Sequence, residues 1–470
     1  MLGLASFLAL LHSASGQTNL QRLASFGVGS LTGTNVGDSV EVYGPLTEAG
    51  DGRIYGLTPR GGTNGGGTLF GMNKNGTGIS VLHNFPDRSQ PGVLDGIYPS
   101  GCKLLKASDG FLYGTTPEGD GATTVRGTIF KVSTNGTGYT NIVSFSNALA
   151  STRGIFPSGK LSEGADGLLY GGTDSGGANN DGVIFKVNKN GTGYTVLYHL
   201  NELTNIGVAD LFASKDGFVY GASSAGGSQN SGGFFRLTTN GSSFTVLRQF
   251  TGSFGDGSDP HIFEGSDGKL YGAVTTYNAD IGRVFRMDKN GGNFTVLHAF
   301  AGAPGDGSFP NGVAELNGML YGTTFIGGNS NAGSIYRIGM DGTGYTVLHE
   351  FDIVDDTGYI PTAAPFIGSD GAIYGTTIYG SDVDSGTIFR LSDDFPGGLP
   401  PIDYSLQPSD TLRLSWPHNF IGWRLQAQTN SPGIGVTPSW VVVPNSGTTN
   451  FWQLPMNHAA GSVFYRLIPP

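Results

Sequence analysis

The stretch DGFLYGTT (residues 109–116), followed by GTIFKV (127–132), returns as DGLLYGGT (166–173) with GVIFKV (182–187) and as NGMLYGTT (317–324) with GSIYRI (333–338). A unit that recurs in this way is a supersecondary module stacking on copies of itself, so it decides the fold before any single motif is interpreted. Working outward, the Tyr-Gly pair occurs at Tyr55, Tyr113, Tyr170, Tyr220, Tyr271, Tyr321 and Tyr374, at separations of 58, 57, 50, 51, 50 and 53 residues. A second aromatic follows at Phe70, Phe130, Phe185, Phe235, Phe285, Tyr336 and Phe389. After it comes a turn dipeptide, Asn-Gly beginning at Asn75, Asn135, Asn190, Asn240 and Asn290, and Asp-Gly at Asp341. Tight type I′ hairpins need positive φ at both central residues, which Asn and Gly tolerate best. Each turn leads into a run rich in β-branched and aromatic residues, such as YTVLYHL (194–200) or FTVLRQF (244–250).

One repeat therefore supplies a strand before the Asp-Gly turn, a Tyr-Gly strand, an Ile-Phe strand and a Val-Leu strand, and four antiparallel strands make one propeller blade. The middle strands are apolar on both faces, as blades sandwiched between neighbours require. The seventh copy has its Tyr374 and Phe389 strands but then runs through SDDFPGG (392–398) with no Val-Leu strand, while LQRLASF (20–26), ahead of the first copy, carries the missing pattern. The sequence thus predicts an all-β fold: a seven-bladed β-propeller over residues 17–396, closed by an N-terminal strand that leaves no sheet edge open. An open solenoid predicts no such complementarity between the chain ends.

Lys and Arg total 25 against 36 Asp and Glu, a net charge of −11 with no basic cluster, which argues against nucleic acid and anionic membranes as partners. Cys102 is the single cysteine, so there is no intrachain disulfide and no CxxC metal or redox signature, and a small apolar filler is its expected role. Residues 1–16, MLGLASFLALLHSASG, combine an apolar stretch with small residues suited to signal-peptidase cleavage, and predict export. No later segment offers the roughly 18 consecutive apolar residues that a membrane-spanning helix needs.

After Pro396 the composition changes: Trp416, Trp423, Trp440 and Trp452 all lie in the tail and no Trp lies in the repeats. Short strand-like runs predict a small C-terminal all-β domain, sandwich-like, over residues 402–470, with the Trp side chains expected in its core rather than as a sugar-stacking platform. The unit DGxLYGTTxxGGxxxxGTIFKxxxNGTGYTVLHxF resembles the GloVer tandem repeat of exported bacterial proteins, the Gloeobacter and Verrucomicrobia type, over residues of about 20 to 392. The tail, with LRLSWP, GWRLQAQTN and FYRL, is similar to C-terminal domains of exported Verrucomicrobia proteins. The resemblance implies export and supplies no activity to carry over. Copies depart from the unit at Tyr277, Asn278 and Asp280, where Gly-Gly is lost, and at residues 206–210, where the usual Pro is missing.

An enzyme on this frame needs polar residues that break the repeat symmetry near the central channel. His83, His298 and His349 share one place in three Val-Leu-His strands, outermost in the blade and far from the axis, where solvent or hairpin packing is the expected environment. Asp51, Asp109, Asp166, Asp216, Asp267 and Asp370 of the Asp-Gly turns are explained by turn chemistry, Asp bonding its own backbone. The GDGS segments at 255–258 and 305–308, with Asp355 and Asp356, lack the full ligand run and distal Glu of a calcium loop. Asn75, Asn135 and Asn190 match a glycosylation acceptor, and the hairpin explains their recurrence. The sequence therefore assigns no catalytic residue, no metal ligand and no cofactor. The expected function is an exported, monomeric, non-catalytic binding or structural module for a polysaccharide or protein, the alternative being a lyase, lactonase or glycosidase with an irregular site near the channel.

Overall fold

A computed structural model describes residues 19–26, 44–87, 96–99, 102–119, 125–201, 207–251, 258–275, 281–354, 357–380, 386–392, 403–407, 411–415, 424–430, 440–446, 451–455 and 462–468. The proposed leader, residues 1–16, lies outside them. The chain divides into two compact units, one of them Leu20–Ser392, with the C-terminal segment Asp393–Pro470 in the other.

The first unit is a seven-bladed propeller. Its innermost strands are Thr47–Glu48, Leu105–Lys106, Ile155–Glu163, Asp210–Ala213, Ser258–Glu264, Gly307–Leu316 and, in blade 7, the pair Tyr359–Pro361 and Phe366–Ile367. Blades 1 to 6 are each four strands in sequence order, all antiparallel. Blade 7 is completed from the chain's beginning: Asn19–Ser25 pairs with Thr387–Ser392, which pairs with Ile373–Tyr379. The Phe26 amide then donates to the Gly386 carbonyl at 3.1 Å. Antiparallel order places the Asp-Gly and Asn-Gly turns on one face of the disc and the Gly-Gly loops and inter-blade connections on the other.

The repeat has a packing logic. In the register between second and third strands, the Gly after each Tyr faces the aromatic of the third strand, Gly56 opposite Phe70 and Gly114 opposite Phe130. The ring lies over the glycine so closely that a Cβ at Gly56 would sit 2.5 Å from Phe70 Cζ. An aromatic shielding a strand glycine explains why Tyr-Gly and Ile-Phe always travel together. In six blades the outermost pairing shifts register at the same place, for example between Ile184 and Phe185, so one Leu or Ile of the Val-Leu strand bulges. The carbonyl of that bulged residue presses on the Asn-Gly turn of the following blade: a Cβ at Gly191 would meet the Ile142 carbonyl and one at Gly241 the Leu197 carbonyl. Gly76 of blade 1 meets Leu23 of the N-terminal strand in the same way, so the closing junction repeats the internal ones.

Seven apolar clusters fill the seven gaps between blades. The closing one joins Ala24, Phe26, Tyr374 and Ile388 to Leu46, Ile54, Phe70 and Met72. In the C-terminal segment two three-stranded antiparallel sheets are described, Asp403–Gln407, Thr411–Ser415 and Phe451–Pro455 in one, Val441–Val442, Arg424–Asn430 and Ser462–Ile468 in the other. Leu414 and Leu425 are buried there, whereas Trp440 and Trp452 are half-buried; Trp416 and Trp423 lie outside the described residues.

Candidate functional site

The repeated polar residues hold blades together. Each turn Asp caps its own turn with one oxygen and takes the hydroxyl of the buried Tyr four residues on with the other: Asp109 Oδ1 accepts the Phe111 amide at 3.3 Å and Oδ2 accepts Tyr113 Oη at 2.7 Å. The same pair joins Asp51 to Tyr55, Asp166 to Tyr170, Asp216 to Tyr220, Asp267 to Tyr271 and Asp370 to Tyr374. Burial and the adjoining carboxylate together push the Tyr113 hydroxyl pKa far up, so it stays a donor. Between blades, a Ser near the turn donates twice to a Glu of the next innermost strand, as Ser108 does to Glu163, and a Lys of that next blade completes the clip. The clip recurs at the ring's closing junction, where Ser369 donates to Glu48 at 2.8 and 2.7 Å and Lys74 Nζ lies 2.5 Å from Glu48.

Two of the three histidines flagged in the sequence are also spent between blades. His83 stacks on Tyr139 of the next blade at 3.5 Å and His298 on Tyr345 at 3.6 Å. Tyr198 on Phe244 and Arg248 over Phe294 fill the same place in blades 3 and 4. His349 packs edge-on against Phe351 of its own strand. Of the GDGS acids, Asp306 is described, and it accepts Tyr345 Oη at 2.5 Å, the amides of Ala301 and Gly307, and lies 3.1 Å from His298 Nε2. Asp355, Asp356 and residues 255–257 lie outside the described residues, as do Tyr277, Asn278 and Asp280. No group of three or more His, Cys, Asp or Glu able to hold a metal occurs among the described residues. Asn75, Asn135 and Asn190 each accept the amide and hydroxyl of the Thr two residues on, which closes the hairpin. Cys102 is buried with Thr115 Oγ1 donating to its sulfur at 3.2 Å, and burial pushes its thiol up to about 11, so it is unreactive.

One column of residues escapes this symmetry. Six positions before the turn Asp, or five before Asn317 in blade 6, stand Pro45, Lys103, Lys160, Asp210, His261, Gly312 and Ala364, four of them in innermost strands, Pro45 and Lys103 just ahead of theirs and Ala364 between the two of blade 7. From Lys160 to Ala364 these positions meet from consecutive blades. Lys160 Nζ donates to Asp210 Oδ2 at 2.8 Å, and His261 Nδ1 stands 3.5 Å from the same oxygen. A Cβ at Gly312 would lie 3.0 Å from that of Ala364 and 3.3 Å from that of His261. Contact between successive innermost strands at one level is what the lining of a propeller axis looks like, so blades 2 to 5 make a polar wall opposite Gly, Ala and Pro.

The electrostatics of that wall are lopsided. Asp210 is 1% exposed, and its oxygens also accept the Leu211 and Ile262 amides at 2.9 and 3.2 Å. Burial alone would push its carboxyl up; Lys160 and His261 outweigh this and hold it well below the ordinary carboxylate range. Lys103 makes no ion pair or hydrogen bond among the described residues; its charged neighbours are Lys160 and Asp210. Burial and Lys160 bring its ammonium down to about 8, against the opposing pull of Asp210. His261 Nδ1 is buried without a hydrogen-bond partner. The column shares one spacing from the Tyr-Gly pairs, and residues 206–210 stand out in the sequence as irregular. The strand's variability concealed its common register.

Comparison with known proteins agrees with the architecture. Among solved structures, an oligogalacturonate lyase in complex with manganese superposes with a TM-score of 0.51 at 11% identity, covering 81% of this chain and 94% of its own. A fungal alcohol oxidase of the AA5 family, in complex with copper, gives a TM-score of 0.51 at 14% identity, covering 97% and 93%. At such identities the likeness is one of fold alone. No curated protein matches the chain in sequence. The Gloeobacter/Verrucomicrobia repeat model matches residues 41–281 and 261–396, nearly the whole propeller, and the chain belongs to that repeat family.

Proposed function

We propose that the chain is an exported, non-catalytic binding module whose ligand, a polysaccharide or a protein, engages the channel wall of blades 2 to 5. The observation that carries this reading is the broken symmetry of the innermost column. Most polar side chains repeated through the blades are engaged in turn or inter-blade contacts, whereas this column breaks the repeat with Lys103, Lys160, Asp210 and His261, and Lys103 makes no hydrogen bond or ion pair among the described residues. Polar residues that depart from a repeat at one level of its axis are where a propeller places function-specific chemistry. Asp210 is occupied by Lys160 and two amides, which suits a buttress better than a general base. Export rests on residues 1–16 and on the family resemblance, and no helix among the described residues is long and apolar enough to cross a membrane. Binding of purified protein to a glycan array and to surface proteins tests the reading. Retention of one ligand class, lost on Lys103→Met, supports it; no binding to any glycan or protein refutes it. The enzymatic alternative draws on the Lys103 amine, part deprotonated at neutral pH, and turnover of a lyase, lactonase or glycosidase substrate abolished by Lys103→Met would establish it instead.

A further inference from the structure

The two faces of the propeller differ in what they leave open. On the face of the Asp-Gly and Asn-Gly turns, Glu48, Glu163 and Glu264 are each neutralised by a lysine, Lys74, Lys189 and Lys289. On the opposite face, one corner carries exposed apolar side chains beside acids with no lysine. Ile353 and Val354 are 64% and 84% exposed and Phe325 37%, three of the four large apolar side chains so exposed among the described residues of the propeller. The Phe351 amide donates to the Gly333 carbonyl at 2.9 Å and the Ile360 amide to the Ala332 carbonyl at 2.8 Å, so the connection from blade 6 to blade 7 is pinned to that corner at both ends. A Cβ on Gly333 would lie 3.2 Å from the Phe325 carbonyl, which brings the second strand of blade 6 to the same corner. Asp352 Oδ1 accepts the Val354 amide at 3.3 Å and holds the apolar pair in its turn, so the surface is preorganised.

Glu350 and Asp352 flank the pair, Asp355 and Asp356 follow it along the chain, and no Lys or Arg occurs between Arg337 and Arg390. Glu350 accepts the Asn329 amide and side-chain nitrogen, and neither it nor Asp352 has an ion-pair partner among the described residues. An exposed apolar centre with a polar rim is the layout of a protein docking patch, and here the rim decides the occupant. A second copy of this chain, at net charge −11, and an anionic surface are both repelled by it. Ile353 and Val354, the most exposed of the three, offer a sugar ring no aromatic face to stack on. We propose that this corner of blades 6 and 7 docks a segment of another protein that presents an apolar side chain between basic residues. Ile353, Val354 and Phe325 cover the apolar side chain, and Glu350 and Asp352 pair with the cations. The surface goes beyond the channel reading above, uses none of its residues and does not depend on it.

The test measures fluorescence anisotropy of labelled synthetic peptides with the full chain: one alternating Lys and Leu, one alternating Glu and Leu, and one alternating Lys and Ser. The Lys-Leu peptide is expected to bind about tenfold more tightly than either of the others and to lose about tenfold when Ile353→Ser is combined with Val354→Ser. Asp352→Asn keeps the oxygen that caps the Val354 amide and removes the charge, and is expected to weaken binding about threefold. Leu149→Ser, at the remaining exposed apolar side chain of the propeller, leaves binding unchanged. All these side chains are exposed or cap an exposed turn, so the melting temperature is expected to hold and a loss of binding is not a loss of fold. Equal affinity for the Glu-Leu or Lys-Ser peptide, binding untouched by the double substitution, or no binding of any peptide overturns the docking patch. A dimer of the free chain that the double substitution dissolves overturns it as well, by showing a second copy in its place. None of these outcomes touches the channel reading, which is decided by Lys103→Met.

Discussion

The ring's closure makes a quantitative demand on Phe26. Its side chain has no exposed surface, lies 5.5 Å from the Phe70 ring, and packs in the cluster that joins blade 7 to blade 1. Phe26→Ala removes a fully buried phenyl, which costs about 3–5 kcal/mol, of which the aromatic pair accounts for roughly 0.5–1.5. Phe85 is the matching residue of blade 1, equally buried and 5.6 Å from Phe130. If the N-terminal strand is an integral strand of blade 7, Phe26→Ala and Phe85→Ala destabilise by similar amounts. The assay is urea unfolding followed by near-ultraviolet circular dichroism of the Tyr-rich blades. All four Trp lie between residues 416 and 452, so Trp fluorescence reports the C-terminal segment separately and serves as an internal control. A cost under about 1 kcal/mol for Phe26→Ala beside 3–5 for Phe85→Ala would refute closure by this strand.

Three further perturbations test other parts of the structure. Gly76→Ala places a Cβ 2.4 Å from the Leu23 carbonyl at a φ of 84°, whereas Gly52→Ala, at 76°, meets nothing within 4 Å; by chemical denaturation the first is expected to cost about 1–2 kcal/mol more than the second. Asp210→Asn leaves Lys160 without its buried partner and is expected to cost about 3–5 kcal/mol at neutral pH. Because the folded carboxyl is depressed, that contribution is present above the unfolded value near 4 and is lost as pH falls below it, so the wild-type advantage over Asp210→Asn shrinks in acid melts. Lys103 has the opposite sign: its ammonium falls from 10.5 to about 8, so the folded state is penalised below 8 and relieved as pH rises toward 10.5. The shift sets an upper bound of about 3 kcal/mol, which water in the channel reduces. Lys103→Met is therefore expected to stabilise the chain more at pH 7 than at pH 10.5 in thermal melts.

The propeller was legible because its determinants are local and periodic. Tyr-Gly, Ile-Phe and Asn-Gly each mark a backbone requirement that recurs with every blade, and the missing last strand at residue 392 matched the spare one at residue 20. Less was readable where partners come from different blades. Stacking of His83 on Tyr139 and the Ser369, Glu48 and Lys74 clip depend on a register between blades that spacing along the chain does not display. The channel column was hidden for a further reason: its residues vary in chemistry from Pro45 to Ala364, so no motif announces it, and only placement on innermost strands makes Lys160, Asp210 and His261 neighbours.

Residues bridged by Ser369 and Glu48 are 321 positions apart. The strand Asn19–Ser25 precedes every blade along the chain, yet its partner Thr387–Ser392 follows six complete blades. Until the two pair it is a solitary β-segment, and blade 7 presents an unclaimed flank on which another molecule's strand could settle. Joining such distant segments sets a slow, late step in acquiring the native state, and crowded refolding should yield intertwined dimers that exchange this one strand.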